Sequence, residues 1–92
     1  MIQGFKHKGL YKFFTTGSEA GIRADHAPRL EERLQGLHTA ITIEDMDLPG
    51  WRLQPLRGDH PDLWTINVSG NWRIVFEFID GDAYVINDED YH

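Results

Sequence analysis

Cysteine is absent from this 92-residue chain. No disulfide can staple the fold, and neither a thiolate nucleophile nor a cysteine-ligated metal centre is open to it. Long apolar runs are missing too. Residues 1–10, MIQGFKHKGL, carry lysines where a secretory signal needs a continuous apolar stretch. No run approaches a membrane span. The expectation is a soluble, cytoplasmic protein with no membrane partner. Positive charge is scarce: nine Lys and Arg stand against fifteen Asp and Glu, a formal net charge of −6. General nucleic-acid binding draws its affinity from Lys and Arg that neutralise phosphates. Any such site here has to be local. The nucleotide-binding patterns G-x-x-x-x-G-K-[ST] and G-x-G-x-x-G and the hydrolase pattern G-x-S-x-G do not occur, so nucleotide cofactors and serine-hydrolase chemistry find no support. His7, His26, His38, His60 and His92 lack H-x-x-x-H and H-E-x-x-H spacing, which leaves zinc without a ligand set. Asp80-Gly81-Asp82 and Asp88 to Asp90 offer oxygens, but not in the order of an EF-hand loop. Neither metal nor cofactor is expected.

What is present reads as one domain with 40% apolar and 26% charged residues. The first half is helical and the second half is strands. Met1 to Phe5 can form a first strand. Leu10, Phe13 and Phe14 suit a short helix from Lys8 to Thr16, with Gly17 placed to stop it. Ala27, Leu30, Leu34, Leu37 and Ile41 make the apolar stripe of a second helix. Asp25 is a candidate N-cap there, and Pro28 is tolerated in the first turn. Arg29, Glu31, Glu32, Arg33 and Gln35 are expected to face water. Pro55 suits Arg52 to Leu56 to a sheet edge. Leu63 to Val68 and Trp72 to Ile79 alternate across the Ser69-Gly70-Asn71 turn. Asp80-Gly81-Asp82 is a second tight turn, and Ala83 to Asn87 is the last strand. The fold class is α+β: β-α-α-β-β-β-β, an antiparallel sheet with two N-terminal helices on one face.

Alternation sets Arg73 opposite the Trp72, Ile74, Phe76 and Phe78 stripe. If that stripe packs on the helices, Arg73 projects from the other face, with Gln54 and the C-terminal tail as neighbours. It is there either an anion contact or a cross-strand ion pair. The tail, Asp88-Glu89-Asp90-Tyr91-His92, gathers carboxylates, a phenol and an imidazole. Such a cluster can move protons, and Tyr91 can stack on a base. The plainer reading is a solvated acidic end.

Phe5-Lys6-His7-Lys8-Gly9-Leu10, Leu56-Arg57-Gly58-Asp59, Asn71-Trp72-Arg73-Ile74 with Phe76, Gly81-Asp82-Ala83-Tyr84 and Asp90-Tyr91-His92 follow a known pattern. In order and length, the chain resembles the HigB-type toxins of the RelE superfamily, also called plasmid-maintenance killer proteins. The resemblance implies a compact α+β fold related to microbial ribonucleases. It implies a type II toxin that enters the A site of the 70S ribosome and cuts messenger RNA. A helix-turn-helix, HigA-like antitoxin would neutralise it, and operator DNA would be reached only through that antitoxin. The implied reaction is metal-free attack of a 2′-hydroxyl on the adjacent phosphate. By resemblance Arg73 clamps the phosphate, Asp90 and His92 share acid–base work, and Tyr91 holds the substrate. Arg57 adds charge where relatives carry lysine, and Asn71 positions RNA from the hairpin turn. Gln54 occupies a substrate-binding position where relatives commonly carry histidine, so proton transfer falls to the tail.

Two other roles compete with nuclease action. A chain this acidic, with Gln54 in place of a titrating group, can serve mainly as the antitoxin's partner in operon repression. Direct inhibition of DNA gyrase is a third, less favoured by the Asp90-Tyr91-His92 end.

Overall fold

A computed structural model describes residues 1–56 and 61–90. Arg57, Tyr91 and His92, expected above to belong to the site, lie outside the described residues. The elements are β1 (Ile2–Phe5), α1 (Lys8–Thr16), α2 (Ala27–Thr39), β2 (Gln54–Pro55), β3 (Leu63–Ser69), β4 (Trp72–Ile79) and β5 (Asp82–Asp90), with 3-10 turns at Ala24–His26 and Ile43–Met46. The sheet order is β1-β5-β4-β3-β2. β2 through β5 form the expected antiparallel meander. β1 departs from it and joins the far edge parallel to β5. A parallel neighbour needs a long crossover, and the helices and the meander together supply one.

Helix boundaries have local causes. His7 caps α1 by accepting the Leu10 N–H on Nδ1 at 3.0 Å. Gly17 closes it at φ 79°, where a side chain would be strained, and donates its N–H to the Phe13 carbonyl at 2.9 Å. Asp25 makes no side-chain cap bond to α2; it lies in the 3-10 turn, which runs into the helix through His26. The helix stops at Thr39 because the Asp45 carboxylate accepts the N–H groups of Ile41 and Thr42, at 2.9 and 3.1 Å, in a new capping box. Ile41 therefore leaves the apolar stripe and is 79% exposed. Those same hydrogen bonds hold the Asp45 carboxyl below its ordinary pKa.

Both helices pack on one face of the sheet. Leu10, Leu30, Leu34 and Leu37 meet Ile66, Ile74, Phe76 and Val85, all fully buried. Each such side chain contributes about 1.5–3 kcal/mol of transfer free energy. Arg33, expected in water, is instead only 8% exposed. The α1 start and the chain before α2 cross at two glycines, where a Cβ on Gly21 would sit 2.6 Å from the Gly9 Cα. No helix among the described residues is long and apolar enough to cross a membrane.

Candidate active site

One irregularity in the β4–β5 ladder decides which side chains share a face. Phe78 faces Ala83 and Phe76 faces Val85, but Val75 then faces Asn87, so Ile86 is an extra residue in β5. Because side chains alternate with period two, one inserted residue sends everything after it to the opposite face. Asn87 and Glu89 thus turn away from the helices, and Asp88 and Asp90 turn toward them. Glu89 pairs across the ladder with Arg73; Asp90 pairs with Trp72 and is exposed.

The helix-free face is consequently polar at this end. Its rows follow from the register: Gln54, Thr65, Val75 and Asn87 across four strands, then Asn67, Arg73 and Glu89 across three. The Arg73 guanidinium is half-buried and lies 3.4 Å from the Thr65 hydroxyl. Asn87 donates its amide to Glu89 at 2.8 Å and orients that carboxylate. Beyond Glu89, a hollow of about 310 Å³ is lined by Lys6, His7, Ile86, Asn87 and Glu89. Two cations, Arg73 and Lys6, thus flank one carboxylate. This set can grip an anion between the cations and accept a proton beside it.

The hairpin bordering this face is fastened from below. Asn67 closes it by donating its side-chain amide to the Gly70 carbonyl at 2.7 Å, with Asn71 exposed at the turn. From α2, Arg33 Nε donates to the Asn67 carbonyl at 3.0 Å, and Arg29 reaches the Val68 carbonyl at 3.4 Å. Arg33 also lies 4.9 Å from the Trp51 ring centroid and pairs with Glu32 at 2.7 Å. Burial pulls its pKa below the ordinary arginine value, against the opposing pull of Glu32. A buried guanidinium is tolerated because its donors find acceptors and its plane finds a ring.

On the helix-bearing side, burial pushes Asp88 up to about 6, opposed by the positive charge of Arg23. Arg23 lies over the Trp72 ring at 5.5 Å. Among the residues expected from the sequence, Arg73 and Gln54 share the open face, Asn71 borders it, and Asp90 belongs to the other side of the sheet. Lys6 and Asn87 were not expected at the site, and Glu89 only as one of the tail carboxylates. Their signal was the Ile86-Asn87 step, where an apolar residue breaks the alternation of Ala83 and Val85. Among the described residues, no three His, Asp or Glu side chains are gathered to hold a metal ion.

A family model described as the RelE-like toxin of type II toxin–antitoxin system HigB matches residues 3–92. The chain is also 47% identical over 92 residues to the endoribonuclease HigB of Proteus vulgaris, spanning 100% of both chains.

Proposed function

The chain belongs to the RelE-like HigB toxins of type II toxin–antitoxin systems, and on that footing we propose that it is an endoribonuclease that cuts messenger RNA in the ribosomal A site. The observation that carries the reading is the Arg73–Glu89 ladder pair on the helix-free face of the sheet, with Asn87 and Lys6 beside it. Arg73 holds the scissile phosphate and stabilises the charge that builds on it. A base removes the proton of the adjacent 2′-hydroxyl, whose oxygen attacks phosphorus. The P–O5′ bond breaks, and the leaving oxygen takes up a proton. The products are a 2′,3′-cyclic phosphate and a 5′-hydroxyl. Glu89 faces Arg73 across the β4–β5 ladder and suits the base. His92 is carried into the proposal for acid–base work and Asp90, set opposite Trp72 at the strand end, for orienting the tail, with Tyr91 as a stacking platform, Arg57 as an added cation, and Gln54 and Asn71 as substrate contacts. The protein acts in the cytoplasm. Its partners are the 70S ribosome with its mRNA and a helix-turn-helix antitoxin.

Induction of the protein, followed by primer extension on cellular mRNA, tests this. Discrete cuts within translated codons are expected, and Arg73→Ala abolishes them at equal expression. Intact mRNA during growth arrest would rule the nuclease out. The net charge of −6 and the non-titrating Gln54 favour a second role, a weakly active toxin that serves mainly as the antitoxin's partner. In that case operator repression by the pair persists while cuts are sparse.

A further inference from the structure

On the N-terminal side of Gln54 the short strand β2 runs out. Its ladder with β3 sets Gln54 opposite Thr65, and Leu56 donates its N–H to the Leu63 carbonyl at 2.8 Å. Alternate residues of β3 therefore turn their backbone groups to this edge, and Asn67 is the next in that series. Unbroken pairing would set Asn67 opposite Arg52. Arg52 instead has φ 50°, a left-handed backbone outside the range of a strand. Two other groups replace it. The Trp51 carbonyl accepts the Asn67 N–H at 2.6 Å, and Arg33 Nε donates to the Asn67 carbonyl at 3.0 Å. A helix side chain thus stands in for the missing N–H of a strand. Its plane is fixed by the Trp51 ring, whose centroid lies 4.9 Å away. That ring is seated on α2 at Gly36, where a Cβ would meet it at 2.7 Å.

We propose that Arg33 is a positioning residue for RNA cleavage: with Trp51 it fixes the β3–β4 turn so that Asn71 is held at the border of the open face. The inference rests on the nuclease reading above for its reaction. The chain of contacts is short. Asn67 is gripped through both backbone groups from outside the hairpin. Its side chain donates to the Gly70 carbonyl at 2.7 Å, one residue before Asn71. Across the ladder it pairs with Arg73, two residues after Asn71. Val68 is an extra residue between the Asn67–Arg73 and Ser69–Trp72 pairs, and Arg29 reaches its carbonyl at 3.4 Å. A bulge re-aims the side chains that follow it, so a small shift of the Asn67 carbonyl carries through to Asn71. The choice of residue points the same way. Arg33 is only 8% exposed, and burying a charge carries a desolvation cost. A methionine of like length would fill that space without the cost, but could not hold the carbonyl. Arg33 packs on the helix-bearing side and acts on RNA only through Asn71.

Cleavage of messenger RNA on purified 70S ribosomes tests the inference, at a temperature where tryptophan fluorescence shows every variant folded. Arg33→Met should lower kcat about tenfold to a hundredfold, the range of a misplacement of about 1 Å, and keep KM within about twofold. Arg33→Lys, which retains a donor for the Asn67 carbonyl, should regain most of the rate. Leu37→Ala truncates a fully buried core residue of the same helix; it should lose at least as much stability and keep the wild-type rate. Asn71→Ala should slow the wild type, yet slow Arg33→Met by under about twofold more, since the two act as one unit. Amide NMR reads the placement without catalysis: Arg33→Met should shift Asn71, and Leu37→Ala should not. Full-rate cutting by Arg33→Met, or losses from Arg33→Met and Asn71→Ala that multiply, overturns this inference and leaves the nuclease standing. An equal loss of rate in Leu37→Ala reduces Arg33 to a stabilising contact and also overturns it. A wild type that cuts nothing, with Asn71 still shifted in Arg33→Met, sinks the nuclease and sustains the placement.

Discussion

Replacing Asp88 by asparagine should make the protein more stable at neutral pH, against the usual direction of a polar substitution near a site. The carboxyl is raised from an ordinary 3.8 to about 6 by burial. The folded state therefore binds this proton more tightly than the unfolded chain. Stability from the protonated group is fully present below about pH 4 and is lost as pH rises through about 6. At about 1.4 kcal/mol per tenfold change in the proton equilibrium, the ceiling is about 3 kcal/mol. The group is partly open to solvent and faces Arg23, so roughly half of that, about 1–2 kcal/mol, is the working figure. Asparagine cannot ionise and escapes the loss. Urea unfolding followed by tryptophan fluorescence from pH 4 to 8 reads the difference. At pH 7.5 the variant should gain about 1–2 kcal/mol, or about 5–10 °C in Tm for a domain of this size, and the two proteins should converge near pH 4. A variant less stable than wild type at pH 7.5, or a gap that does not close on acidification, refutes the burial argument.

Other substitutions separate site from scaffold. Arg73→Gln should lose cleavage in cells by primer extension yet melt within about 0.5 kcal/mol of wild type, because its bond to Thr65 is long. Arg33→Met should cost about 2 kcal/mol in urea unfolding, since it deprives the Asn67 carbonyl of a charged donor. The same variant should speed hydrogen exchange at the β3–β4 turn more than in β5. Gly9→Ala forces a Cβ against the Gly21 backbone, and about 1–3 kcal/mol of overpacking should appear as a lowered Tm.

Period and punctuation carried most of the architecture. The leucines of α2 and the alternating aromatics of β4 are patterns that only one face can satisfy, so both elements were legible with their boundaries close. Gly17 was readable as a stop because its left-handed backbone is a local requirement. Arg33 was misread because a charge on a helix is presumed to be solvated, and only the Trp51 ring and the Asn67 carbonyl, distant in sequence, make its burial tolerable. Ile41 kept the spacing of a core residue while Asp45, four residues on, ended the helix before it. β1 was foreseen as a strand but not as a parallel partner of β5, since pairing across the length of the chain leaves no local trace. Within the site, Arg73 and its face followed from alternation. The bulge at Ile86 did not: unbroken pairing would set Asp88 opposite Arg73, and the extra residue sets Glu89 there instead.

The pairing of β1 with β5 ties folding to the timetable of synthesis. The Met1 ammonium donates to the Gly81 carbonyl at 2.7 Å, and Lys6 donates its N–H to Val85. β1 thus waits, unpaired, for the last strand of the sheet to follow it. Until β5 pairs, Arg73 has no Glu89 opposite it and Lys6 has no wall to lie against.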